Sequence, residues 1–309
     1  MILGPVGMIL VGLASIGFWR LKRGVGFRYF VLGGLTMISA ITPKLILDLT
    51  ATSALSSWAE ATFGSTGWLI LVGAYVGLRT GFFECGFTYI AFSKTKLRNM
   101  SLDEAIAFGV GFGAFEAVLI AIPSLIQILV FMTNPSILDA LPPTERQMVE
   151  AQLSMPTWIV PAPIIERVFT VLAHVFTTLL IFSSVREGKT TLFLGAFIYK
   201  ALLDGVIPYL QRVLKPSTSL VGTYLAEVWV VFMGLLALAG ILRAKARTSQ
   251  RKRWVCRCVG RDKDVGESLF MSRRPYRSKL LTVPRVKVGE TFEIVDVKPP
   301  SDEEVEVLT

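Results

Sequence analysis

The sequence predicts an all-α polytopic membrane protein with about seven transmembrane helices and a small β-hairpin-like C-terminal tail. Three observations support that fold class. Hydrophobic residues make up 52% of the 309 and charged residues only 18%, where a soluble domain carries about 25% charge. Mean hydropathy is +0.58. The charge is also unevenly placed, with 16 basic and 13 acidic side chains in residues 1–242 against 16 and 10 in residues 243–309. The formal net charge of +9 is therefore +3 from the apolar part and +6 from the tail. That distribution excludes a soluble nucleic-acid binder as the whole protein. Three cysteines, Cys85, Cys256 and Cys258, are too few and too badly placed for a disulfide scaffold.

A helix needs about 20 mostly apolar residues to cross a bilayer. Seven stretches qualify: 2–19, 27–48, 67–92, 105–132, 157–184, 190–211 and 217–242. They are too long for barrel strands, so helices must satisfy the backbone. The first stretch lacks a positive N-terminal flank and is followed by Arg20, Lys22, Arg23 and Arg28. It reads as a retained helix and not as a cleaved signal peptide. Lys94, Lys96 and Arg98 in the third loop, and Arg243, Lys245 and Arg247 after the last span, mark cytoplasmic sides. The protein is thus expected in the cell membrane with its N-terminus outside and its C-terminus in the cytoplasm. Loops 49–66 and 133–156 are neutral or acidic and belong outside. In the second of these, TERQMVEAQ after an N-capping Thr144 predicts a short surface helix, in either a connector or a lid.

Ionisable side chains at membrane depth cost several kcal/mol and so mark a site, an ion pair or a water-filled cavity. They are numerous here: Lys44 and Asp48, Arg79, Glu84, Glu116, Glu166 and Arg167, His174, Lys200 and Asp204, and Glu227. Lys44/Asp48 and Lys200/Asp204 are spaced i,i+4, so each pair can neutralise itself on one helix face, the first as a snorkelling pair near a helix end. Glu227 is expected to be protonated or paired in the bundle. The third stretch, GAYVGLRTGFFECGFTYIAF, has Gly73, Gly77, Gly81 and Gly86 around Arg79 and Glu84. The fourth, FGVGFGAFEAVLIAI, has Gly109, Gly111 and Gly113 just before Glu116. Small residues at that spacing let helices approach closely in lipid. Packing these two helices together would bring both carboxylates close, to share a proton or bind a cation; a structural, hydrogen-bonded Glu in each helix is the alternative. His174, the only histidine, lies seven residues after Arg167 on one helix face. A lone histidine is more often a structural hydrogen-bonding partner than a metal ligand.

The pieces GLRTGFFECGF, GVGFGAFEA, ERVFTVLAH and FIYKALLDG, in that order, resemble the YhfC family of membrane metallopeptidases, distant relatives of the CAAX-processing and bacteriocin-processing intramembrane proteases. The resemblance spans about residues 65–212 and implies a helical bundle enclosing a metal or a polarised water, with Glu and His side chains activating that water to cut a peptide. On this resemblance Glu84 and Glu116 are the candidate catalytic residues, and Arg79, Glu166, Arg167, His174, Lys200 and Asp204 share their polar cavity. Four departures fall among them. The family's tandem Glu-Glu is Glu84-Cys85, its Arg one turn later is Thr88 or Tyr89, its glycine-flanked histidine is Phe112, and its histidine four residues before Asp204 is Lys200.

Zinc favours His, Cys or carboxylate ligands. Glu84, Glu116 and Asp204 can still form an oxygen-rich site for a divalent metal such as zinc, yet Lys200 brings a positive charge into it. The expectation is an internal ion-pair network without a cofactor, in a pseudopeptidase that binds membrane segments or partners. A divergent active peptidase using Glu84, Glu116 and Asp204, and an assembly or translocation accessory acting through the tail, are the other expectations.

Residues 1–242 then form the bundle, with 65–212 as its peptidase-like core, and 243–309 form a cytoplasmic tail. Arg243, Lys245, Arg247, Arg251, Lys252 and Arg253 are expected to meet anionic lipid headgroups, or a membrane protein or peptide partner. Ribosomal or other nucleic-acid phosphate is a weaker expectation, since no RNA-binding motif accompanies them. Cys256-x-Cys258 lacks the second pair that a zinc knuckle needs. Further on, VPRVKV and TFEIVDV flank Gly289-Glu290 and predict a β-hairpin, followed by an acidic end, SDEEVEVLT.

Overall fold

A computed structural model describes residues 1–260, 282–286 and 292–296, the side chains of Pro135, Thr144 and Met148 and those from 247 onward excepted. The helices are α1 (Leu3–Arg23), α2 (Arg28–Leu47), α3 (Ser53–Thr80), α4 (Gly86–Lys94), α5 (Leu102–Thr133), α6 (Pro143–Leu153), α7 (Pro161–Glu187), α8 (Thr190–Gly205), α9 (Ile207–Leu214) and α10 (Leu220–Gly260). Two π-helical turns, Asp48–Thr52 and Gly81–Cys85, join α2 to α3 and α3 to α4 without a break in helicity.

Among the described residues six helical runs are long and apolar enough to cross a membrane, and one of them, Arg28–Lys94, has 67 residues. Drawn straight it would extend about 100 Å, some three times the hydrocarbon thickness of about 30 Å. It is instead folded back at Gly64, whose φ of 65° and ψ of −170° suit glycine and few other residues. Side chains from the two sides of that turn meet across it. Trp68 donates to Ser56 at 2.7 Å, Thr52 and Tyr75 hydroxyls lie 3.3 Å apart, Arg79 pairs with Asp48, and Lys44 with Glu84. The run is a hairpin of two antiparallel arms, which brings the apolar arms to seven. The expected loop 49–66 is therefore helix on either side of Gly64. Nothing from Leu45 to Phe63 breaks a helix, and the helix extends past the apolar length that a hydropathy reading counts.

The short helix after the fourth span is present as α6, but it starts at Pro143, so Thr144 lies inside it and is not its N-cap. Proline at the first helical position is pre-set for helix φ and lacks the N–H that would otherwise go unpaired. By contrast α5 opens with a full capping box, Ser101 and Glu104 each satisfying the other's backbone N–H.

Glycines set which helices touch, and here the structure differs from expectation. The glycines of α3 do not face α5. A Cβ on Gly77 would overlap the Ala201 carbonyl oxygen, and one on Gly73 would stand 2.7 Å from that of Gly205, so α3 lies against α8. In α5, Gly111 lies against the Phe30 backbone of α2, while Gly109 and Gly113 lie against Val175 and Val171 of α7. Helix α5 thus runs between α2 and α7, and its residues Ala105 to Ala114 are all buried.

Neighbouring contacts separate two ends of the bundle. At one end Trp19 donates to the Asp103 carbonyl at 3.0 Å and Lys245 stands over the Trp19 ring. At the other, Gly4 meets Pro163, Arg212 donates to Glu60 at 2.5 Å, and Tyr224 donates to the Trp158 carbonyl at 2.5 Å.

In the separate unit 266–309, strands β1 (Thr282–Val286) and β2 (Phe292–Asp296) pair antiparallel, with Val286 opposite Phe292. Gly289, Glu290 and the acidic end lie outside the described residues, as do the side chains of Arg247, Arg251, Lys252, Arg253, Cys256 and Cys258.

The tight α2–α5 contact makes a prediction. Gly111→Ala should lower stability by about 1–3 kcal/mol, because its methyl group meets backbone that cannot swing aside. Gly17→Ala, with nothing within 4 Å, should be neutral or slightly stabilising. Thermal unfolding of both variants in the same detergent distinguishes them.

Candidate functional site

Helix α7 brings His174 to the centre of the bundle, where it is 3% exposed. Its place depends on glycine: a Cβ on Gly113 would stand 3.2 Å from the imidazole Cδ2. The Phe112 ring covers the imidazole, with centroids 4.9 Å apart and planes inclined by 32°. Two carboxylates from different helices approach the two ring nitrogens. Glu116 of α5 pairs directly with Nε2, and Glu84 Oε2 lies 3.9 Å from Nδ1. The histidine, and not direct α3–α5 packing, joins the two glutamates.

Glu84 sits in the π turn Gly81–Cys85, which widens the helix at that point. Its side chain is 4% exposed and lies between two ammonium groups. Lys44 Nζ donates to Oε1 at 2.7 Å, and Lys200 Nζ stands 2.8 Å from Oε2, off the hydrogen-bond direction. The i,i+4 pairs expected from the sequence do not form. Lys44 reaches across the hairpin to Glu84, and Asp48 pairs with Arg79, which also donates to the Lys44 carbonyl at 3.5 Å. Lys200 pairs with Glu84, and no cation lies within 4 Å of Asp204 among the described residues, although Asp204 is near enough to act electrostatically on both lysines. The reason is burial. A lone charge in an apolar interior costs several kcal/mol, so the deeply buried Glu84 takes both lysines, while half-exposed Asp48 pairs with Arg79 and partly exposed Asp204 does without a close cation.

Beyond Glu116 the network continues outward. Arg167 Nη1 lies 3.6 Å from Glu116 Oε1, Arg167 pairs with Glu166, and Glu227 of α10 is near both. Glu84, Glu116, Glu166, Arg167, His174 and Lys200 are thus linked in one chain of contacts. Asp204 lies at its edge, and Arg79 belongs to the adjoining pair with Asp48. Lys44 is the member that sequence reasoning assigned elsewhere. An apolar run around an unneutralised lysine was the available signal, but Asp48 at i+4 offered a simpler partner.

Between these groups is a cavity of about 10 Å³, room for about one water molecule. Glu84, His174, Cys85, Thr88, Phe112 and Lys200 line it, with threonines of α7. Cys85, Phe112 and Lys200 are three of the four departures expected from the resemblance, and Thr88 is one of the two residues expected at the fourth.

A family model described as the YhfC intramembrane metalloprotease matches residues 7–225, more than two thirds of the chain. The chain belongs to that family. The match begins well before the resemblance at 65–212 and takes in α1 and α2, hence Lys44. No curated protein and no solved structure matches the chain.

The family's description implies a divalent metal, but the side chains present do not fit one as arranged. Among the described residues no three His, Cys, Asp or Glu side chains gather as a metal-holding group. An ion bound to Glu84 at about 2.0–2.2 Å would sit beside two ammonium nitrogens, and His174 already gives Nε2 to Glu116.

Removing one partner of a buried pair costs about 3–5 kcal/mol, because it leaves the other charge uncompensated. Glu84→Gln should therefore lower the unfolding temperature strongly. Adding Lys200→Met should recover part of that loss, and a double-mutant cycle by thermal unfolding measures the coupling.

Proposed function

We propose that this family member is a catalytically degenerate peptidase, which holds a transmembrane or lipidated segment in its bundle without cutting it. One observation carries the proposal: Cys85, Phe112 and Lys200, three of the four departures expected from the resemblance, line the cavity that holds Glu84 and His174, and so does Thr88, one of the two residues expected at the fourth. Changes scattered at random over seven helical arms would not meet in one space. Two of the four replace histidine, and one of those places a cation against the remaining carboxylate. An ammonium group there satisfies the charge that a metal dication would otherwise balance, so the bundle keeps its shape without the ion.

A divergent active peptidase remains the second proposal, because one feature favours it. His174 bridges two carboxylates beside a water-sized space, the arrangement a general base needs to act on water. Glu84, Glu116 and Asp204 would then carry the chemistry.

Elemental analysis of the purified, chelator-free chain separates the two. Well under one metal per chain is expected, with none gained by Lys200→His alone, and a membrane-anchored peptide should be captured by cross-linking and recovered uncut. Near-stoichiometric zinc that Glu84→Gln removes, or a cleaved fragment made by the wild type alone, would overturn the proposal.

We also propose that the end of the bundle bearing Arg23, Lys94, Lys96, Arg98 and Lys189 faces the cytoplasm, supported by the excess of positive charge there. In a background free of the native cysteines, Glu145→Cys should react with an impermeant maleimide in intact cells, and Arg98→Cys only after lysis. The reverse pattern would invert the topology.

A further inference from the structure

The basic end of the bundle holds a structure that the peptidase-like core does not use. Trp19, near the end of α1, is 7% exposed, and its indole N–H donates to the Asp103 carbonyl at 3.0 Å, which fixes the ring. Two cations from different helices stand against that ring. Lys245 Nζ of α10 lies 4.2 Å from its centroid and Arg23 Cζ of α1 lies 5.5 Å from it. Lys22, beside Arg23, stands 4.9 Å over the Phe18 ring.

The charges here do not balance. Lys22 and Arg23 both act on Lys245, and among the described residues Asp103 is the carboxylate that offsets them. Arg23 Nε is 3.7 Å from Asp103, beyond a hydrogen bond, and Asp103 is 42% exposed. No carboxylate lies within 4 Å of Lys22 or Lys245 among the described residues. An aromatic ring attracts cations through its face but carries no net charge, so it gathers them without neutralising them. One helical turn in from Lys22 and Lys245 the side chains are apolar and exposed: Phe18 is 60% exposed and Leu242 58%.

We propose that Lys245 and Arg23, held on Trp19, form a binding site for the phosphate of an anionic phospholipid, whose acyl chains lie along Phe18 and Leu242. Two features select a lipid over a free phosphate. Tryptophan and basic side chains sit at the depth of the headgroups, and the exposed apolar surface continues from the cations toward the bilayer centre. The site stands on the helical bundle itself, so it is independent of the extended basic run after residue 246. It is equally independent of whether the core is a degenerate or an active peptidase.

Native mass spectrometry of the full chain in mild detergent tests this, with phosphatidylglycerol, phosphatidylcholine and inorganic phosphate as separate additions. Phosphatidylglycerol should be retained about tenfold better than phosphatidylcholine. Arg23→Gln with Lys245→Gln should abolish that preference, while Arg98→Gln, an exposed cation at the same end without an aromatic platform, should keep it. If the double variant is not monodisperse, Lys245→Gln alone should weaken the preference and Lys245→Arg should restore it. Equal retention of the two lipids, or full preference in the Lys245→Gln variant, would overturn the proposal. Displacement of phosphatidylglycerol by millimolar inorganic phosphate would overturn it too, by showing a phosphate site and not a lipid one.

Discussion

A carboxylate held between two lysine ammonium groups in the middle of an apolar bundle is the constraint around which the rest of this structure is arranged. Glu84 is 4% exposed, and each of its oxygens meets a cation from a different segment, Lys44 from one arm of the hairpin and Lys200 from α8. Any one of these charges alone at that depth would be unfavourable by several kcal/mol. Together they require three segments to keep fixed rotations about their axes. The turn at Gly64 aligns Lys44 with Glu84, and the contact of Gly73 and Gly77 with Gly205 and Ala201 presses α8 close enough to bring in Lys200. The second linkage, Glu116 to His174 to Glu84, ties α5 and α7 into the same group.

Glycine acts in this bundle mainly through what its missing side chain allows. Between helices in lipid there is little hydrophobic gain from burying apolar surface, so association depends on close van der Waals packing and polar contacts. Gly111 against Phe30, and Gly109 and Gly113 against α7, supply the first, and the charged chain supplies the second. The two reinforce each other. Close backbones leave room for about one water between Glu84 and His174, which keeps the polar groups in contact with one another instead of with solvent.

Membership of the YhfC intramembrane metalloprotease family rests on residues 7–225 and places this geometry in a peptide-cutting context. On the proposed degenerate reading, the glycines that build the bundle and the carboxylates within it are kept, while Cys85, Phe112 and Lys200 stand around one small space. Under that proposal, a lysine at the position of a metal-binding histidine would preserve positive charge beside the carboxylate while giving up the ability to polarise water.

Much of this was legible in the sequence, and the remainder was not for a definite reason. The number and placement of apolar arms follow from local composition, because bilayer thickness sets one length for all of them. The acidic and basic residues of the polar centre could likewise be named, since any charge inside such a run is conspicuous. What the sequence could not determine was who pairs with whom. Lys44 and Asp48, or Lys200 and Asp204, satisfy the i,i+4 rule on a single helix, yet the cross-helix pairs Lys44–Glu84 and Asp48–Arg79 form. Glycine spacing announced close packing without naming the partner helix, so α3 and α5 seemed matched when α3 faces α8 and α5 faces α2 and α7. Composition and spacing are properties of one segment and can be read along the chain. Partner choice depends on the rotation and neighbours of every helix at once, and on which buried charge is costliest to leave alone, and only the assembled bundle decides that.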